Sequence, residues 1–151
     1  MDMQYKTLLT ALVLLSSVLT LGISGQSAED MPDLPTRDVV PHDPIYIDGE
    51  SDLLHQATLE GWPGVGSHGN PIIISGYAID ANGTAQGIFV NNTDLHLLIW
   101  GNLIYEAHDH SARPQGDGIK LMDVSNCTVS DNTLRECYYN GIFLDKCHDV
   151  I

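Results

Sequence analysis

The chain has 151 residues, room for one domain of ordinary size, and 20 acidic against 6 basic side chains give it a net charge of −14. Such a surface repels phosphate backbones, so no nucleic acid is expected as a partner; the acidity serves solubility and is compatible with bound metal cations. Three cysteines allow at most one internal bridge, which excludes a dense disulfide scaffold.

Lys6 precedes an apolar stretch, Thr7 to Ile23, and small residues gather at Ser24, Gly25, Ser27 and Ala28. A charged start, a short apolar run and small residues at its end are the pattern of a secretory signal. The stretch also just suffices to span a bilayer, so a retained anchor is the alternative. Residues 1–28 are therefore assigned to targeting. The remainder is expected to be secreted or held at the cell surface, touching membrane only through that segment if it is uncleaved. Residues 29–44 place Pro32, Pro35, Pro41 and Pro44 among acids, a composition that buries no core and reads as an extended linker.

Residues 45–70 read as an N-terminal cap. Ile45-Tyr46-Ile47 alternates like a strand, and Ser51 or Asp52 can cap a short helix carrying Leu53, Leu54, Ala57 and Leu59. Gly61 to Gly69 is turn-rich.

From 71 to 151 the chain repeats itself. Ile72 to Ile79 (IIISGYAI), Leu97 to Ile104 (LLIWGNLI) and Cys127 to Leu134 (CTVSDNTL) superimpose. The alignment predicts three columns: Ile72, Leu97 and Cys127; Ile74, Ile99 and Val129; Ile79, Ile104 and Leu134. A second set, beginning at Gly87, Gly118 and Gly141, follows each glycine with apolar residues two apart, the period of a strand with one buried face. Short strands and turns recurring at this interval, without helical periodicity, indicate a solenoid whose coils bury their inner faces only by stacking. The longer coil must shed its extra residues as a loop, His108 to Gln115. Cys127, Cys137 and Cys147, ten apart, fit small apolar filler inside coils better than a zinc knuckle, which needs a C-x-x-C pair.

Asn102 and Asn132 share a turn column, where stacked amides can bond along the axis and satisfy turn backbone groups. Tyr77 holds that place in the first coil. The final stretch repeats the opening of the coil before it, with Ile142 matching Ile119, Leu144 matching Leu121 and Val150 matching Cys127. The chain thus reads as cut off in mid-repeat after about three coils, and residues 29–151 alone are expected to aggregate or to dimerise end to end.

The G-I-x-[VL] strands and N-x-[IL] turns resemble the parallel β-helix repeats of the pectin-lyase-like superfamily. They are most similar to its carbohydrate-binding and sugar-hydrolase group, which includes NosD-like proteins. The entry passages PIYIDGESDL and GVGSHGNPIIISGYAIDANGTAQGIFVNNT are similar to the start of exported archaeal β-helix proteins. The resemblance covers Pro44 to Ile151 and implies an all-β, right-handed parallel β-helix. It leaves activity open, because the fold hosts lyases, hydrolases, epimerases and non-enzymes. Of the polygalacturonase-like catalytic patterns only Gly116-Asp117-Gly118-Ile119 has a counterpart, and the calcium ligands and arginine base of pectate-lyase-like enzymes are not evident, so no catalytic residue is assigned. The expected partner is extracellular carbohydrate or another cell-surface component, bound by a structural or adhesive module. The alternatives are a lyase or glycoside hydrolase for uronic-acid polymers and a NosD-like metal-handling accessory protein. His96, His148 and Cys147 form no copper motif with the loop, and alternation places His96 outward.

The loop holds the one cluster of chemical interest. His108, His110 and Asp117 could ligate a divalent metal, with no other cofactor expected, and Asp109 and Arg113 could contact substrate. A solvated polar loop is the plain alternative. Three sequons, at Asn82, Asn91 and Asn126, are glycosylation candidates in an exported chain, Asn82 the best of them.

Overall fold

The computed structural model describes residues 38–113 and 115–151, so the targeting segment and the linker up to residue 37 lie outside the described residues. Eleven strands and one helix follow in order: β1 (Val40–His42), β2 (Ile45–Asp48), α1 (Glu50–Glu60), β3 (Ile72–Ser75), β4 (Tyr77–Asn82), β5 (Gln86–Thr93), β6 (Leu97–Trp100), β7 (Leu103–His108), β8 (Asp117–Ser130), β9 (Thr133–Arg135), β10 (Asn140–Asp145) and β11 (His148–Val150). Every pairing between these strands is parallel. The chain is a parallel β-helix with three faces: β1-β4-β7-β9, β2-β5-β8-β10 and β3-β6-β8-β11. β8 serves two of them, bending through left-handed backbone at Asp123 (φ 48°) and Asn126 (φ 56°).

The register is the one the repeat predicts. Ile72 pairs with Leu97 and Leu97 with Cys127; Ile74 pairs with Ile99 and Ile99 with Val129. Ile79, Ile104 and Leu134 align on the next face, and Ile45, Ile88, Ile119 and Ile142 on the third. Most of these side chains form one continuous core with Leu53, Trp62 and Val124. Each fully buried Ile or Leu contributes about 1.5–3 kcal/mol of transfer free energy. In β10 the columns reach the surface: Ile142 and Leu144 are 45% and 47% exposed, where Ile119 and Leu121 are fully buried.

Sterics explain the glycine column. A Cβ on Gly87 would lie 2.3 Å from Ile104 Cγ2, and one on Gly118 would lie 2.7 Å from the Gly141 carbonyl and 2.9 Å from Cys137 Sγ. A side chain there would collide with the following coil.

Two boundaries differ from the sequence reading. The ordered body starts ahead of Ile45, because Val40-Pro41-His42, placed in the linker, extends the β4 edge as β1, with Val40 N donating to Gly76 O. An edge strand tolerates Pro41 where a central one would not. Neither Ser51 nor Asp52 is the N-cap of α1. Gly49 holds that position at φ 92° without a side-chain cap, and Asp52, inside the first turn, accepts the Asp48 N–H instead. Leu53 and Ala57 face the core, while Leu54 and Leu59 are exposed. Among the described residues no helix is long and apolar enough to cross a membrane.

Candidate functional site

Alternation along a strand sends the residue between two buried ones outward. In G-I-x-[VL] that residue is x. Parallel register therefore lines up Tyr46, Phe89, Lys120 and Phe143 on the outside of the β2-β5-β8-β10 face. The Tyr46 and Phe89 ring centroids are 5.8 Å apart, and Lys120 Nζ stands 5.1 Å from the centre of the Phe143 ring. Successive rungs are about 4.8 Å apart, so the ladder is a continuous strip along the helix axis.

A polar column flanks this strip at the start of each strand: Gln86, Asp117 and Asn140. Gln86 and Asp117 are buried. Gln86 Oε1 accepts from the Tyr46 hydroxyl at 3.1 Å, and Asp117 Oδ1 accepts from Asn140 Nδ2 at 2.7 Å. Lys120 Nζ approaches Asp117 Oδ2 at 3.9 Å. Burial raises the Tyr46 pKa above its ordinary value. Beside Asp117, a cavity of about 310 Å³ is lined by Arg113, Lys120, Tyr139, Asn140 and Phe143.

The loop between β7 and β8 closes on itself. Asp109 Oδ1 accepts the backbone N–H groups of Ser111 (3.1 Å) and Gln115 (3.0 Å), and Asp109 N donates to Gln115 O at 3.0 Å. Those two amide bonds hold the Asp109 carboxyl below its ordinary pKa. His108 lies between two rings, stacked on Tyr138 at 4.6 Å and 5° and tilted against His110 at 4.1 Å. Its Nε2 is buried without a hydrogen-bond partner. His110 Nε2 contacts Asn82 Oδ1.

The residues assigned to metal have different partners, although the His108 and His110 rings touch. His108 is in a ring stack, His110 is committed to Asn82, and Asp117 belongs to the polar column. Among the described residues no three His, Cys, Asp or Glu side chains are placed to hold one ion. Of the two substrate candidates, Arg113 reaches the cavity while Asp109 staples the loop. The sequon amides are all engaged: Asn82 Nδ2 donates to Glu106 Oε2 at 3.0 Å, Asn91 Nδ2 to Asp48 Oδ1 at 2.8 Å and Asn126 Nδ2 to Asp94 O at 2.9 Å. Sequence reasoning missed Tyr46, Phe89, Phe143 and Tyr139. The first three occupy the x position of the repeat, or its equivalent in β2, and that position was the available signal.

A family model described as right handed beta helix region matches residues 39–151. No curated protein and no solved structure matches the chain.

Proposed function

The chain belongs to the right-handed β-helix family, and on that premise we propose that it is an extracytoplasmic module whose β2-β5-β8-β10 face binds an acidic polysaccharide. The observation that carries this reading is the outward ladder Tyr46–Phe89–Lys120–Phe143 beside the Arg113–Lys120 cavity. Aromatic rings offer flat apolar surface for the C–H faces of sugar rings, and Asn140 and the Tyr46 hydroxyl offer hydrogen bonds at their edges. Consecutive rungs are close enough for consecutive sugars of an extended polymer.

Charge selects the polymer. The described residues contain only four Lys and Arg side chains, Arg113, Lys120, Arg135 and Lys146, and two of the four line this one cavity. In a chain of net charge −14 this is a local attraction for carboxylate or sulfate groups. Asp117 is the single carboxylate in that lining, whereas glycoside hydrolysis ordinarily needs a pair flanking the scissile bond. The arrangement therefore favours binding over turnover.

Affinity electrophoresis through gels holding polygalacturonate, a sulfated glycan or a neutral glucan tests the reading. The two acidic polymers should retard the protein most. Phe89→Ala and Phe143→Ala should each weaken retardation several-fold, and Arg113→Ala with Lys120→Ala should abolish the preference for acidic polymers. Equal mobility in all three gels would end it.

A further inference from the structure

On the β3-β6-β8-β11 side, far from the loop in sequence, two other imidazoles converge. His68 sits in the tight turn closed by the Ser67–Asn70 bridge, and His96 directly precedes β6, its N–H donating to Gly66 O at 2.9 Å. Their rings meet edge to face, with centroids 5.2 Å apart and planes at 81°. Among the described residues neither imidazole has a hydrogen-bond partner. Both line a cavity of about 350 Å³ whose walls include Asn126, Thr128 and Asp149. Register makes His96, Asn126 and Asp149 successive positions of one column, just ahead of the Leu97–Cys127–Val150 row.

Two imidazoles on one tetrahedral ion have a required spacing. With metal–nitrogen bonds of about 2.05 Å, each ring centroid lies about 3.2 Å from the ion, and the tetrahedral angle puts the two centroids about 5.2 Å apart. The His68–His96 pair stands at that distance. The His108–His110 pair, at 4.1 Å, is too close for a tetrahedral site, and His110 is already engaged by Asn82.

We propose that His68 and His96 together bind a borderline divalent cation of the Zn²⁺ type. Imidazole suits such ions, and the acidic surface concentrates cations around the chain. No third His, Cys, Asp or Glu side chain completes a set among the described residues, so water fills the remaining positions. Asp149, on the wall of the same cavity, adds negative charge.

The test uses the untagged full chain, stripped of metal, titrated with Zn²⁺ by calorimetry and with Co²⁺ by visible absorption. One equivalent should bind, and His68→Gln and His96→Gln should each weaken it at least tenfold. The double variant His108→Ala, His110→Ala should bind as the parent does. Both target histidines are at or near the surface, and unchanged metal-free melting curves establish that their variants fold. Absence of binding at submillimolar Zn²⁺, retention of binding in His68→Gln with His96→Gln, or its loss in the loop variant would each overturn the proposal.

Discussion

The side-chain carbonyl of Asn132 accepts two bonds from Asn102, one from its backbone N–H and one from its amide Nδ2, both at 3.0 Å. Asn102 repeats part of the pattern one coil earlier: its Oδ1 accepts the Tyr77 N–H at 3.1 Å and its Nδ2 donates to Ile74 O at 3.1 Å. Asn102 is buried while Asn132 is half-buried. Asn102→Leu strands several buried polar groups at about 1–3 kcal/mol each, so a loss of about 3 kcal/mol is expected. Asn132→Leu should cost less, because water reaches its partners. Urea midpoints of the two variants check this, and equal losses would contradict the ladder's asymmetry.

Glycine-to-alanine changes should separate by space. Gly87→Ala places a methyl 2.3 Å from Ile104 Cγ2, inside a core with no slack, and overpacking of this kind costs about 1–3 kcal/mol. At Gly141 the nearest atom is Leu134 Cδ1 at 3.3 Å, the end of a half-buried side chain that can give. Gly141→Ala should therefore change the melting temperature little, and thermal denaturation of the pair decides the point.

The inner columns were legible because two periods coincide in the sequence: alternation within a strand and recurrence of whole coils. Ile74, Ile99 and Val129 announce themselves by both. What was illegible lacked one or the other. Val40-Pro41-His42 is too short to alternate and carries a proline, and its strand character comes only from the β4 edge it pairs with. Asp109 and Asp117 look like partners of the neighbouring histidines along the chain, but one turns back to cap its own loop and the other starts a new strand. His68 and His96 lie on different coils, so no spacing along the chain joins them, and the Gly66–His96 backbone bond ties the two segments together. The outward ladder was present in the repeat as Phe89, Lys120 and Phe143. Its mixed chemistry hid it, since a column is easiest to see when its residues are alike.

Asp109 should act as a pH-dependent staple. Its folded carboxyl has a lowered pKa because the Ser111 and Gln115 amides favour the charged form. A depressed carboxylate contributes its stabilisation above the unfolded value of about 3.9 and loses it as pH falls through the lower folded value. Hydrogen exchange at the Ser111 and Gln115 amides should be slow near neutrality and quicken, relative to intrinsic rates, only below about pH 4. Asp109→Ala should exchange fast at every pH, while the core melting temperature stays close to that of the parent.

Cys127 should be inert as a nucleophile and costly in alkali. Its side chain lies inside the coil in the Leu97–Cys127–Val150 row, and burial pushes its pKa up to about 12. The thiolate is the reactive form, so the native protein should leave Cys127 unlabelled by iodoacetamide at pH 8, with labelling following only on unfolding. Linkage gives the sign of the alkaline effect. Above the ordinary thiol value of 9.0 the unfolded chain releases the thiol proton while the folded chain keeps it, so stability falls between pH 9 and about 12. Three pKa units correspond to a loss of up to about 4 kcal/mol across that window. Other groups titrate there as well, so the comparison is with Cys127→Val, which fills the same apolar position without an ionisable group. If the pH-dependence of unfolding in the parent and in Cys127→Val runs parallel from pH 8 to 11, the buried thiol contributes nothing to alkaline instability, and the placement of Cys127 inside the coil is wrong.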